Sequence, residues 1–322
     1  MKRSFLVLAG SLLFMTSCNK SGAKTEEAVA DDVVATQRHC AAPDVLDEQL
    51  KADPSLAQRM NEIEDFTKRV IEHPEQFRLV NGIVEIPVVF NVLYRTAAQN
   101  VSLAQLQSQI DVLNEDFGAT NADHNLTSTY NTVKAGDIGV RFVLDAVNRR
   151  STTKTSWSTN DAMKKSAQGI APTSPTTKLN IWVCNMGGGI LGYAQFPGGA
   201  AATDGVVLDD NATGRTGTAA APFNKGRTAT HEVGHWMNLR HIWGDATCGN
   251  DQVGDTPLHN TANYGCPAAG HKSTCTGTPV EMTMNYMDYS DDACMYMFSV
   301  GQRSRMLAIF AAGGARNSFA QP

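Results

Sequence analysis

The feature that most constrains this chain is the spacing of its histidines. His231-Glu232-Val233-Gly234-His235 lies in a stretch from Thr228 to Leu239 that reads as a helix, and His241 follows just past its expected end. On a helix, positions i and i+4 lie one turn apart on the same face, so the imidazoles of His231 and His235 can reach one ion. Glu232 stands beside them, placed to act as a base on a water rather than as a ligand. With eight histidines in the chain, a chance HExxH is roughly a one-in-a-hundred event, and a third histidine at +10 lowers that to roughly a few in ten thousand. Histidines that merely pack or face water are therefore the weaker reading. Three neutral imidazoles leave one tetrahedral position open on a zinc ion, which suits a catalytic rather than a structural metal.

The rest of the chain has the means to carry such a site. Its 322 residues are 42% hydrophobic and 18% charged, which excludes a largely disordered protein. A formal net charge of −5 offers no basic face, so nucleic acid is not an expected partner. Seven cysteines are too few for a small disulfide scaffold, yet suit a few staples in an oxidising compartment.

Export is written at the N-terminus. Lys2-Arg3, an apolar run from Phe5 to Met15 and then Thr16-Ser17-Cys18 form a signal peptide over residues 1–17. A cysteine directly after small residues resembles the bacterial lipobox, with Met15 where leucine is usual, so Cys18 is expected to be lipidated. The expected location is the bacterial cell envelope, with the membrane touched only through that anchor. No other apolar stretch approaches the ~20 residues of a membrane span.

Residues 19 to about 35 read as a polar tether. A helical stretch follows from about Val45 to Glu72, broken at Asp53-Pro54 because proline starts helices but does not continue them. Ile83 to Tyr94 is β-branched and apolar, a buried strand. Ser102 caps a helix running to about Phe117. Gly139–Val147 and Lys178–Cys184 alternate as strands, and Ile190–Phe196 reads as a short edge strand between the rim loops Gly187-Gly188-Gly189 and Gly198-Gly199. Such an order predicts a twisted sheet with helices packed on it.

Residues 231–245, His-Glu-Val-Gly-His-Trp-Met-Asn-Leu-Arg-His-Ile-Trp-Gly-Asp, then Asp255-Thr256-Pro257 and Asn285-Tyr286-Met287-Asp288-Tyr289, resemble the pappalysin family of metzincin zinc proteases. The pattern is HExxHxxGxxH with Asn238 in place of the glycine, and asparagine is the best substitute where positive φ is needed. The likeness runs from about Ile83 to the C-terminus and is strongest from Thr228 to Gln302. It implies an α+β fold, with a twisted, mostly parallel sheet, an antiparallel edge strand and backing helices. This α/β-like N-terminal subdomain (78–241) precedes an irregular C-terminal subdomain (242–322) with a methionine turn, Met287 lying beneath the zinc ligands. It also implies a zinc endopeptidase acting on protein or peptide substrates, with Glu232 as general base and Tyr289 as hydrogen-bond donor to the oxyanion; a monomer is expected.

Several finer features come with the same resemblance. Four cysteines, which sequence alone could join in three ways, are implied to pair as Cys248–Cys275 and Cys266–Cys294, while Cys184, within an apolar strand, reads as a buried free thiol. Asp251, Asp255 and Thr256 resemble a calcium loop. Cys40 resembles a cysteine switch, its thiolate ligating zinc in a latent precursor whose prosegment spans 18–77. Small pappalysins prefer arginine just after the cut bond, so Phe77–Arg78 is the expected maturation site, with Asp291 and Asp292 as candidates to hold that arginine. A catalytically silent surface lipoprotein acting as a binding module is the competing reading. It predicts a lost histidine or a non-acidic residue at 232, and the sequence has neither.

Overall fold

A central run of valines and isoleucines organises the molecule. The computed structural model describes residues 35–76, 82–126 and 128–320. Cys18, Phe77 and Arg78 lie outside the described residues, as does the expected signal peptide over residues 1–17. Two helices come first, α1 (Ala42–Ala52) and α2 (Ser55–Glu72), parted at Asp53-Pro54. Strand β1 (Val84–Tyr94) follows, then α3 (Leu103–Phe117), β2 (Val140–Ser151), β3 (Leu179–Cys184), β4 (Gly192–Ala194) and β5 (Val206–Asp209). Helices α4 (Arg227–Trp236) and α5 (Val300–Ala308) complete the regular elements. No helix among the described residues is long and apolar enough to cross a membrane.

The five strands lie in the order β2-β1-β3-β5-β4. All neighbours are parallel except β4, which runs antiparallel to β5 at one edge. Strand β1 is apolar because it is buried between β2 and β3, with Val88, Val89, Phe90 and Val92 fully covered. Pro87 lacks a ladder donor, and the register against β2 slips just beyond it, between Val88 and Val89. The polar members of the central strands satisfy one another: Asn148 donates to Asn91, which donates to Asn180, at 2.9 and 3.2 Å.

Helix α3 starts where Ser102 Oγ accepts from the Gln105 amide at 3.1 Å, and it packs on the sheet through Leu106, Ile110, Leu113 and Phe117. Helix α4 ends earlier than the apolar pattern suggests, at Trp236 rather than Leu239. The chain there closes a Schellman turn: Leu239 N–H bonds Gly234 O, Asn238 N–H bonds His235 O, and Asn238 takes φ 71°. That turn swings His241 back over the helix. The helical N-terminal stretch does not stand apart. Cys40, Ala41, Ala42 and Val45 join the main core, and Phe66 and Val70 of α2 pack on Ala308 and Ala311.

Candidate active site

Three elements meet at the three histidines: α4, the segment after its turn, and the loop at 285–289. The Nε2 atoms of His231, His235 and His241 lie 3.1–3.2 Å from one another. Each ring uses Nδ1 to donate elsewhere: His231 to Tyr286 O at 2.7 Å, His235 to Leu239 O at 2.8 Å, and His241 to Asp245 Oδ1 at 2.5 Å. That fixes all three tautomers, so three Nε2 lone pairs converge with no proton between them. Tetrahedral zinc with Zn–N near 2.05 Å places its nitrogens ~3.3 Å apart, so the donor set fits. Burial, with the neighbouring imidazoles, lowers the pKa of His231 and takes His235 down to about 3, which keeps both rings neutral and ligating.

The fourth member of the cluster comes from before α1. Cys40 Sγ and the three imidazoles have their ligand atoms within 4.8 Å of one another, and the four residues are buried. Cys40 Sγ lies 3.3 Å from Glu232 Oε2. Burial pushes Glu232 up to about 8, eased by the bond to Cys40 and by Arg38. Burial and then Glu232 also push the Cys40 thiol up, against the opposing pull of the Ala42 amide, and a cation in the cluster would favour its thiolate. Glu232 has room because its neighbour on β4 is Gly192, where a Cβ would come within 3.1 Å of Glu232 Cγ and 2.7 Å of Val207 O.

The segment carrying Cys40 is laid along β4 as a parallel bridge, with Leu191 N–H donating to His39 O and Ala41 N–H to Gly192 O at 2.9 and 3.0 Å. Tyr289 reads the same peptide from the other side: its hydroxyl accepts from Cys40 N–H at 3.3 Å and donates to Cys40 O at 3.0 Å. Two residues earlier, Arg38 is buried to 2% exposure against fully buried Asp292. Its guanidinium donates to Asp292 Oδ1 at 2.6 Å, Thr228 Oγ1 at 3.2 Å and Ser290 O at 3.2 Å, and lies 5.0 Å over the Phe223 ring. Asp292 Oδ2 accepts the Lys225 amide at 2.8 Å. Asp291 stands apart, part exposed, with its amide on Gly265 O.

Met287 lies under the ligand helix, and Gly234 leaves the space: a Cβ there would collide with Met287 Sδ. Both disulfides, Cys248–Cys275 and Cys266–Cys294, are formed, and Cys184 is a buried free thiol. The three calcium candidates are not gathered at one point. Asp251 accepts from Thr256 Oγ1 and Val253 N–H, whereas Asp255 takes Ser299 Oγ and Gly301 N–H at the start of α5. Among the described residues, Cys40 and the three histidines are the one group of three or more His, Cys, Asp or Glu whose ligand atoms cluster.

Three contributors escaped the sequence. Trp243 stacks on His241 at 4.3 Å and 5°, with Tyr289 edge-on to both. Asp245 orients His241. Arg38 fills the Asp292 pocket. A carboxylate four residues after a suspected ligand was the one available signal, for Asp245.

Comparison with known proteins agrees with this geometry. Residues 178–311 match the peptidase family described as Pregnancy-associated plasma protein-A. An extracellular metalloprotease of Verticillium alfalfae is 37% identical over 238 residues, 69% of this chain and 77% of that protein. One from Pyricularia oryzae is 32% identical over 286 residues, 86% of this chain and 90% of that protein. Mature mirolysin of Tannerella forsythia, solved with a cleaved peptide, is 43% identical over 74% of this chain and 95% of its own, at TM-score 0.71. A promirolysin variant from the same organism is 40% identical over 88% of this chain and 97% of its own, at TM-score 0.78.

Proposed function

The chain belongs to the pregnancy-associated plasma protein-A family of peptidases, the pappalysins, and is a zinc metalloendopeptidase; on that premise we propose that it is an exported enzyme held latent by its own N-terminal segment, with a preference for arginine after the cut bond. His231, His235 and His241 hold the zinc, and Cys40 takes the fourth position until residues up to about Phe77 are removed. The bound ion supplies Lewis acidity at the scissile carbonyl and to the attacking water. Glu232 takes the proton from that water and passes it to the leaving nitrogen. Burial raises the Glu232 carboxyl while the Cys40 segment covers it; a bound dication and removal of that segment would each favour the carboxylate that accepts the proton. Tyr289 donates to the oxygen that becomes negative in the transition state. Met287 supports the ligands from below.

One observation carries the reading: a single peptide segment offers Cys40 Sγ to the ligand cluster, its backbone to Tyr289 and its Arg38 to Asp292. Those are the ligand, oxyanion and side-chain positions a substrate needs. The Asp292 pocket is buried and gives a guanidinium a carboxylate, a hydroxyl, a carbonyl and a ring face, which supports the arginine preference and favours Asp292 over Asp291 for it. The greater share of this chain covered by the promirolysin variant than by the mature form, 88% against 74%, supports a prosegment ahead of Arg78. Relatives named extracellular support export, and the lipobox-like Thr16-Ser17-Cys18 is what supports Cys18 as a lipid anchor. The calcium site of this reading is the Asp251–Thr256 loop, which Asp255 joins only by leaving Ser299 and Gly301 at the start of α5. The silent binding module finds no support, since every group it would have lost is in place.

Zinc content and casein hydrolysis test the assignment together. Glu232→Ala keeps zinc near one per chain and loses more than ~99% of hydrolysis, because the ligands survive and the base does not. His235→Ala loses both. Wild-type turnover in Glu232→Ala overturns the role of the base.

A further inference from the structure

One buried carboxylate reaches both halves of the histidine centre without touching a ligand. Asp116 sits in the last turn of α3 and is 5% exposed. Its Oδ2 accepts from Thr230 Oγ1 at 2.7 Å, and its Oδ1 accepts from the Tyr286 hydroxyl at 2.8 Å. Thr230 immediately precedes His231 on α4. Tyr286 immediately precedes Met287, and its carbonyl is the acceptor for His231 Nδ1. Arg227, at the first position of α4, places its guanidinium 3.7 Å from Asp116 Oδ1 and 5.7 Å over the Tyr286 ring.

These contacts span 114 and 170 residues of chain, so they lock segments that nothing local holds in register. The Tyr286 carbonyl must face His231 for Nδ1 to keep its proton and Nε2 its lone pair. The turn is fixed on one flank by Asn285, whose Oδ1 accepts the Met287 amide and whose Nδ2 donates to Gln302 Oε1, at 2.9 and 2.8 Å. On the other flank the Tyr286 side chain ends on Asp116. Burial raises the Asp116 carboxyl to about 6 against the pull of Arg227, Thr230 and Tyr286, so near pH 7.5 it is a carboxylate able to accept both hydroxyls. A purely packing role needs neither hydroxyl, and an apolar pair of the same shape would fill the space without the desolvation cost.

We propose that Asp116 is a positioning residue of the zinc centre, clamping α4 to the methionine turn through Thr230 and Tyr286 so that the Tyr286 carbonyl holds His231 in its ligating tautomer. The inference rests on the zinc assignment above. The test is zinc titration of the full-length chain against a competing chelating indicator, alongside the melting temperature of the metal-free protein. Asp116→Asn and Tyr286→Phe are each expected to weaken zinc binding by ~10- to 100-fold. The double variant is expected to be little worse than Asp116→Asn alone, because Asp116→Asn already weakens the hydrogen bond that Tyr286→Phe removes. A lower metal-free melting temperature with an unchanged zinc dissociation constant means a structural role only, and overturns the proposal. If Asp116→Asn does not fold, Tyr286→Phe decides alone, and wild-type zinc affinity in it overturns the clamp. Failure of the wild-type chain to bind zinc would instead sink the zinc assignment on which the clamp depends.

Discussion

At the residue scale, Gly234 is where one methyl group sets two effects against each other. Alanine in a helix interior is favoured over glycine by ~1 kcal/mol, but its Cβ here collides with Met287 Sδ. Overpacking of a full core costs ~1–3 kcal/mol, so Gly234→Ala is expected to be net destabilising and to loosen zinc. Denaturant unfolding checks the sign, and a stabilised variant would mean that Met287 moves aside freely. Asp251 gives a pH prediction. Burial raises its carboxyl to about 6, so the folded state binds more protons than the unfolded between about pH 4 and 6. Its contribution is therefore fully present below about pH 4 and is lost as pH rises through 6, by up to ~3 kcal/mol. Asp251→Asn should flatten the wild-type slope of stability in that window, and saturating calcium should do the same if this loop binds it. Equal slopes in both proteins contradict the buried, ion-free carboxylate. The histidines and Glu232 were legible because their chemistry is local to one helix and its turn. Arg38 was not, because its meaning lies in Asp292, 254 residues away.

At the element scale, α2 is fastened to the body by more than apolar contact. Glu64 accepts both Nη atoms of buried Arg305 at 3.0 and 2.5 Å, while Arg305 Nε donates to Asn238 O at 2.7 Å, on the turn that places His241. Glu64→Ala leaves that guanidinium uncompensated. On the proposed maturation at Arg78, the Glu64→Ala precursor should melt lower and mature sooner, whereas enzyme already processed there should be identical to wild type, having no Glu64 to lose. A processed enzyme that differs from wild type would refute a role confined to the precursor. Elements with strong punctuation were readable: Asp53-Pro54 divides α1 from α2, and Ser102 opens α3. Strand β5 was not, being four residues long, and β2 runs to Ser151 because it pairs along all of β1 although its outer residues are polar. Helix α5 begins in a capping box at Ser299 and Gln302, but its Val-Gly-Gln-Arg-Ser-Arg face is too polar to announce a helix.

At the scale of the whole molecule, a mostly parallel sheet carries the zinc helix, and a disulfide-braced, loop-rich segment follows it and brings the methionine turn to the ligands. The α+β class and the antiparallel edge were legible through the family resemblance; the way the N-terminal segment threads the cleft was not, since it depends on contacts between the two ends of the chain. On the proposed reading, latency and catalysis are two uses of one set of groups, so a single variant separates them. The decisive measurement is the rate of hydrolysis of an arginine-containing peptide by full-length Cys40→Ala, followed together with N-terminal sequencing of the same sample. Partial activity is expected before any chain beginning at Arg78 appears, with wild type silent until that N-terminus forms and Glu232→Ala silent throughout. A full-length Cys40→Ala chain as inactive as wild type, or a wild-type precursor fully active while intact, would contradict the role given to Cys40.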